Sequence, residues 1–160
     1  IMEIKELEFV AGKWKGKGTA EVNSVKGADY DEETIFEFEK EKQLIFYIQR
    51  TWRTVDRKRI EMLHFESGFI RKNDAGIIQL SNSQGNGRVE VMELEEVSIN
   101  GKNAVLLFVS RSHGNDPRMI ETTRQFTING SKMKYEMKMA TVMNDKLTGH
   151  LRAELEKGQA

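Results

Sequence analysis

Few side chains in this sequence are suited to hold a transition metal or a haem iron. The chain has 160 residues with no cysteine, and its three histidines are His64, His113 and His150. Disulfides, zinc–thiolate sites and iron–sulfur clusters are therefore excluded, because each of them needs cysteine sulfur. His150 is the most informative of the three, because it lies on what we interpret as the last strand, residues 148–157, of a closed β-barrel.

The direction in which His150 points decides whether it can be a ligand. Strict alternation places His150, Arg152 and Glu154 on one face of the strand. The other face carries three apolar side chains, those of Leu151, Ala153 and Leu155. An apolar face ordinarily turns inward, which would leave His150 in water. We predict the reverse orientation, with His150 inward, Arg152 beneath it against Trp14, and the apolar face covered from outside by the N-terminal segment.

Composition restricts the class of protein. The 25 basic and 25 acidic residues cancel, which argues against a nucleic-acid binder or a protein bound to an anionic membrane. No apolar run approaches the ~20 residues of a membrane helix, and the charged N-terminus lacks the features of a secretory signal. We therefore expect a soluble, cytoplasmic protein with a single domain over residues 1–160, and we leave open a homodimer.

The dominant periodicity is two, which is typical of half-buried strands. Between turn sequences such as Asn100-Gly101 and Asn129-Gly130 we count about ten strands. Their predicted ranges are 14–23, 32–40, 43–53, 60–71, 76–82, 88–96, 103–111, 118–128, 132–141 and 148–157. The first ten residues form the one helical candidate. Short connections favour an all-β, antiparallel up-and-down barrel with room for a ligand, and a filled two-sheet sandwich is the alternative.

Five segments, in their order and spacing, resemble the nitrobindin family, a haem-binding domain of the calycin or fatty-acid-binding-protein-like type. They read GKWKGKG at 12–18, QRTW at 49–52, HFESGF at 64–69, MAT at 139–141 and HLRAEL at 150–155. The resemblance covers about residues 5–157 and implies a ten-stranded barrel that holds one haem b. Three loops depart from the family pattern, among them residues 112–117, and all lie near the expected cavity mouth.

The resemblance also implies functional residues and a reaction. His150 matches the proximal histidine, the metal ligand of the family, and His64 matches a histidine that lines the pocket. We place Leu63 and Met139 beside them as further cofactor contacts. The implied activity is that of a haem-dependent peroxynitrite isomerase, in which ferric haem binds nitric oxide and converts peroxynitrite to nitrate. Haem and small diatomic or anionic nitrogen oxides are then the partners.

Several readings stay open on the sequence alone. The cavity could instead carry a fatty acid or another hydrophobic molecule without haem, or it could be collapsed in a protein that serves interaction only. His64 is equally well explained as a core histidine, and we expect His113 to be a solvated loop residue. Arg50 and Trp52 could face the interior, with Arg50 paired to Glu66. Four methionines (Met62, Met133, Met137 and Met139) suit either core packing or an apolar cofactor wall.

Overall fold

The ten expected strands are present and close into one antiparallel barrel. The computed structural model describes residues 2–22 and 25–158. Hydrogen-bonded neighbours follow chain order, and the first strand pairs with the last to complete the ring. The strands are β1 (Gly12–Val22), β2 (Val25–Glu39), β3 (Leu44–Val55), β4 (Lys58–Lys72), β5 (Ile78–Gln84), β6 (Val89–Asn100), β7 (Asn103–Gly114), β8 (Met119–Asn129), β9 (Lys132–Thr141) and β10 (Asn144–Lys157). The predicted up-and-down barrel is confirmed, and the two-sheet sandwich is excluded.

Two sequence predictions fall partly on residues that the structure does not describe. These are the start of the N-terminal helical segment at Ile1 and the end of the first strand at residue 23, and residues 159–160 are likewise outside the described ranges. No helix within the described ranges is long and apolar enough to cross a membrane.

The two predicted Asn-Gly hairpins form, but each turn begins one residue later than expected. Asn100 pairs with Asn103, and Asn129 pairs with Lys132, so each asparagine ends a strand instead of entering the loop. Each loop begins with glycine, at φ +63° in Gly101 and +62° in Gly130. Positive φ at the first central position alone is the pattern of a type II′ turn, which requires glycine there.

The glycines of β1 let the barrel close tightly. A Cβ atom on Gly16 would lie 1.8 Å from the Glu154 carbonyl oxygen of β10, and one on Gly18 would lie 2.2 Å from the Tyr30 ring. Both distances are far below van der Waals contact, so a larger residue would force the strands or the ring apart.

One end of the barrel is plugged by a short 3₁₀ helix, Ile4–Val10. Ile4, Leu7 and Val10 are buried, and the helix packs against β3 and β4. Trp14 is fully buried, and its indole N–H donates to the Val10 carbonyl over 2.9 Å. The helix therefore caps the interior, whereas we had predicted that it would cover the outside of β10.

Candidate functional site

A cavity opens at the barrel end opposite the 3₁₀ helix. Its volume is 340 Å³, which is in the lower part of the range of about 300–1,000 Å³ for ligand pockets. One wall is apolar, formed by Met119, Met137, Met139, Met143 and Leu151. The floor is polar and includes Gln49, Glu66, Gln84, Arg124 and Tyr135. His64 and His150 both line this cavity, so the fold brings together the two histidines that the family resemblance singled out.

His150 reaches the cavity because of a β-bulge. Gly149 pairs with Lys138 and Leu151 pairs with Met137, so β10 has one residue, His150, more than the facing stretch of β9. The extra residue breaks strict alternation, and both His150 and Leu151 line the cavity. Beyond the bulge the apolar face turns inward as usual, with Ala153 and Leu155 buried in the core.

The predicted orientation of the last strand is thus only half correct. His150 does face the cavity, but Leu151 and Leu155 do not pack outward. The side chain of Arg152 is 65% exposed and lies near Glu21 and Glu136 at 3.6 and 3.8 Å. The cation above the Trp14 ring belongs to Lys157, whose Nζ lies 5.3 Å from the ring centroid. Strict alternation gave the wrong faces because one inserted residue reverses the inward and outward positions of the β10 residues on its N-terminal side.

The imidazole of His150 is partly desolvated. Burial lowers the pKa of His150 below its ordinary value, and a hydrogen bond to the backbone of Glu21 opposes this shift in part. The charge of nearby Arg88 lowers it further. A neutral imidazole is the form that can donate a lone pair to a metal.

A second bulge lies beside His64. Thr51 pairs with His64, but Trp52 pairs with Met62, so Leu63 is the extra residue of β4. Leu63 is 44% exposed and does not line the cavity, whereas Met139 does. Of the four sites named from the sequence, the fold therefore gathers His64, Met139 and His150 and leaves Leu63 outside.

His64 is bound to a buried carboxylate. Its Nε2 lies 2.7 Å from Glu66 Oε1, and the Glu66 side chain is 1% exposed. Glu66 also accepts a hydrogen bond from the Tyr47 hydroxyl. Burial alone would raise the pKa of Glu66, but the charge of Arg124 and the bond from His64 lower it to about 2.

Arg124 is the centre of a buried ionic network that the sequence analysis missed. Its guanidinium donates to Glu66 over 2.8 and 3.1 Å and lies 2.9 Å from Glu90 Oε1. The side chains of all three residues are at most 2% exposed. A clue was present, because Arg124 stands in phase with the apolar Phe126 and Ile128 along β8, and a charge in phase with core residues implies a buried partner.

His113 belongs to the same network and is not the solvated loop residue that we predicted. It lies on β7, its side chain is 7% exposed, and its Nε2 is 3.3 Å from Glu90 Oε2. Thr122 bonds both His113 and Glu90. Strand β7 extends three residues beyond its predicted end at 111, which draws His113 into the barrel wall.

The proposed pairing of Arg50 with Glu66 is also wrong. Arg50 and Trp52 lie on the outer face of β3, where the Arg50 guanidinium sits 4.7 Å from the centroid of the Phe65 ring. On β3 the buried positions are Ile45, Tyr47, Gln49 and Thr51, so residues 50 and 52 fall on the outward face.

The rim of the cavity carries two arginines that share one carboxylate. Arg88 Nη2 lies 2.8 Å from Asp116 Oδ2, and Arg118 Nε lies 2.9 Å from Asp116 Oδ1. Hydrogen bonds from Arg118 and Arg88 lower the pKa of Asp116 well below its ordinary value. Two positive charges against one negative charge leave the rim with a net positive charge that would favour an anionic group.

These features fit a flat, largely apolar cofactor with an iron atom and acidic substituents. Such a cofactor would find a nitrogen ligand in His150, an adaptable apolar wall in the methionines and positive charge at the rim. At the floor, Arg124 Nε and the Tyr135 hydroxyl have no hydrogen-bond partner among the described residues. Buried polar atoms are rarely left unpaired, so the floor can also accept a small polar molecule.

Known proteins share both the sequence pattern and the barrel. A family model for the THAP4-like, heme-binding beta-barrel domain matches residues 3–157. A curated relative from Arabidopsis thaliana, named peroxynitrite isomerase Rv2717c, is 30% identical over 84 residues, which are 52% of this chain and 48% of the relative. The aligned part is thus about half the length of that relative.

A solved structure extends the likeness to the whole barrel. The crystal structure of Rv2717c from M. tuberculosis matches with a TM-score of 0.85 at 25% identity, covering 98% of this chain and 97% of that chain. Rv2717c is a nitrobindin-family protein, so the resemblance predicted from the sequence is confirmed. Because the family model covers nearly all of the sequence, this chain belongs to the THAP4-like haem-binding β-barrel family.

Proposed function

We propose that this chain binds one haem b through His150, and that its ferric form binds nitric oxide and isomerises peroxynitrite to nitrate. The observation that carries the proposal is the position of His150, which a bulge turns into a cavity walled by methionine. Membership of the haem-binding family and the name of the curated relative support the cofactor and the reaction.

Burial of His150 prepares its imidazole as a ligand. Burial lowers the pKa of His150 and so favours the neutral ring. In a neutral imidazole one nitrogen carries a proton and the other has a free lone pair. That lone pair is what a haem iron would take from His150.

The remaining cavity residues have separate tasks in this proposal. Bound haem would supply the iron centre for the rearrangement of peroxynitrite, and the protein would supply orientation and shielding. The methionine wall would pack against the apolar faces of the cofactor, and Arg88 and Arg118 would attract its acidic groups to the rim. The imidazole of His64 is the cavity side chain best suited to donate or accept a proton, and Glu66 holds it in place.

A hydrophobic carrier without haem is less well supported. The apolar wall would suit an alkyl chain, but the floor contains Glu66, Arg124 and a Tyr135 hydroxyl that has no hydrogen-bond partner in the described part of the chain. An alkyl chain against the floor would leave two buried polar atoms, Arg124 Nε and the Tyr135 hydroxyl, without a partner, at a cost of about 1–3 kcal/mol for each unsatisfied group.

Titration of the purified protein with haemin tests the ligand assignment. We expect a saturable one-to-one shift of the Soret band that is lost in His150→Ala. The matched control is Arg152→Ala, which alters an outward residue two positions away and should titrate like the wild type. Identical titrations for the wild type and His150→Ala would contradict the role of His150, and fluorescent fatty acids would then test the carrier.

Stopped-flow decay of peroxynitrite tests the reaction. The ferric haem-loaded protein should accelerate the decay and raise the yield of nitrate, whereas the protein without haem should do neither. If the loaded protein binds nitric oxide but leaves the decay unchanged, the proposed isomerase activity is wrong and gas binding remains.

A further inference from the structure

The hydrogen bond between His64 and Glu66 determines which nitrogen of His64 carries a proton. Glu66 Oε1 accepts from His64 Nε2 over 2.7 Å. The other contacts of this carboxylate are also donors, namely the Tyr47 hydroxyl and the Arg124 guanidinium. A carboxylate surrounded by a cation and hydrogen-bond donors is stable in its ionised form, which can only accept hydrogen bonds.

It follows that Nε2 of His64 must be protonated. In the neutral imidazole the lone pair is then on Nδ1, because the two nitrogens of a neutral ring have opposite roles. Within the described residues, Nδ1 of His64 has no hydrogen-bond partner, although the side chain is only 26% exposed and lines the cavity. His64 thus has one nitrogen committed to Glu66 and one available to a ligand.

We propose that His64 is a proton acceptor in the cavity and selects ligands that carry an acidic proton, such as hydroperoxides, protonated oxyacids and hydrogen cyanide. The O–H or C–H bond of the ligand breaks, a new N–H bond forms at Nδ1, and the ligand is left as an anion. The resulting imidazolium retains its Nε2–H bond to Glu66, whose negative charge balances it. This inference extends the proposed haem function by naming a substrate class.

Glu66 is in this scheme a positioning residue that acts through His64. Arg124 and Tyr47 hold the carboxylate on its other sides, so it cannot rotate away from His64 without breaking buried bonds. The pair resembles the carboxylate–histidine arrangement that fixes the tautomer of a catalytic base in other enzymes. Glu90 and His113 form a comparable pair on the other side of Arg124, but His113 does not line the cavity, which makes that pair a natural control.

Long-range ¹H–¹⁵N NMR of the histidine rings tests the tautomer without haem. At a pH where His64 is neutral, the wild type should show a single tautomer with the proton on Nε2. Glu66→Gln should populate both tautomers, since an amide can donate as well as accept. Glu90→Gln also removes one negative charge beside Arg124, but that carboxylate does not contact His64. It should therefore leave His64 as a single Nε2–H tautomer.

Three results would overturn the tautomer assignment. They are a mixture or an Nδ1–H form in the wild type, an unchanged single tautomer in Glu66→Gln, and equal changes in the two glutamine variants. The last result would mean that the ionic network as a whole, and not the carboxylate beside His64, determines the tautomer of the His64 ring.

Ligand-binding rates of the ferric haem-loaded protein test the selection. Transfer of a proton to a positioned base commonly contributes about 10²–10⁴-fold to a rate. His64→Phe should slow the binding of cyanide, supplied as hydrogen cyanide, by at least ~10-fold. Nitric oxide carries no proton, so its binding rate in His64→Phe should stay within about threefold of the wild-type rate. His113→Gln should leave both binding rates near those of the wild type.

The kinetic result is decisive in either direction. An equal loss for cyanide and nitric oxide in His64→Phe would mean that the side chain acts by shape alone, and the proposed proton acceptor would be wrong. If the protein takes up no haem, the proposed function fails, and the NMR measurement on the haem-free protein still decides how His64 is held.

Discussion

The two halves of the barrel interior are stabilised in different ways. Under the 3₁₀ helix the interior is apolar, with Trp14 fully buried and Phe126 in edge-to-face contact with Phe36 and Phe108. Towards the open end the interior instead holds Arg124 between the buried carboxylates of Glu66 and Glu90. Burial of apolar area is favourable in itself, whereas buried charges at best balance the loss of their hydration.

This difference suggests a division of labour. The apolar half stabilises the fold. The charged half adds little or no stability, and it holds the His64 ring in one orientation. Such a division makes distinct predictions for substitutions in the two halves, because an apolar cavity and an unpaired charge have different effects on stability and on the site.

The largest effect is expected for Arg124→Leu. The substitution leaves Glu66 and Glu90 buried without a cation, and removal of one partner from a buried ion pair costs about 3–5 kcal/mol. With two carboxylates affected we expect about 5 kcal/mol, measured by urea unfolding at neutral pH. Combining it with Glu66→Gln and Glu90→Gln should restore most of the loss, and failure of that rescue would show that Arg124 contributes through packing and not through charge.

Trp14→Ala should destabilise the apolar half by about 3–5 kcal/mol, the usual cost of truncating a fully buried tryptophan. It should leave the haemin titration and the His64 tautomer unchanged once the protein is folded. A changed Soret band in the folded variant would mean that the closed end shapes the cavity, and the proposed separation of the two halves would fail.

Glu32 gives a smaller effect with a characteristic pH dependence. It is 1% exposed, and burial raises its pKa from 4.5 to about 7, despite a hydrogen bond from Thr34. A raised pKa in the folded state means that its contribution to stability is present below pH ~4.5 and is lost as the pH rises towards ~7.

Glu32→Gln should therefore match the wild type near pH 4 and exceed it at pH 8 by roughly 3 kcal/mol or less. Urea unfolding at the two pH values provides the measurement. Glu66 is a contrasting carboxylate nearby, because its pKa is lowered and its contribution is lost only when the pH falls. Parallel stability curves for the wild type and Glu32→Gln would show that Glu32 is hydrated.

The smallest effect is expected on the outside of the barrel. Arg152 is largely exposed, and its two carboxylate neighbours are 3.6 and 3.8 Å away, so Arg152→Ala should change stability by at most about 0.5 kcal/mol. A loss of several kcal/mol in thermal or urea unfolding would indicate that Arg152 turns inward beneath His150, as strict alternation would require, and that the bulge is misplaced.

The fold was predictable because its sequence signals are local. Alternation along β3 and β9 and the turn at Gly130 depend on residues close together in the chain, and they gave the number and order of the strands. The directions of His64 and His150 were not predictable in this way. His150 is the extra residue of one bulge and His64 lies next to another. A bulge exists only relative to the register of the neighbouring strand.

The candidate site was recoverable in part. His64 and His150 were named from the family motifs, and Met139, which was named with them as a cofactor contact, lines the same cavity. Arg124, Glu90 and His113 were missed, because they come from different strands and contribute only as a group. A buried charge becomes interpretable when its partner is known, and the partner is known only once the strands are aligned.

The sequence by itself determined that this chain is a closed barrel of ten strands with two histidines in family positions, since strand pattern and turn chemistry are properties of neighbouring residues. Only the tertiary structure decided that His150 faces the cavity while Arg152 faces solvent, and that Glu66 fixes the proton of His64. Both outcomes depend on which backbone groups and side chains lie opposite each other across strands, and that alignment is set by the closure of the barrel.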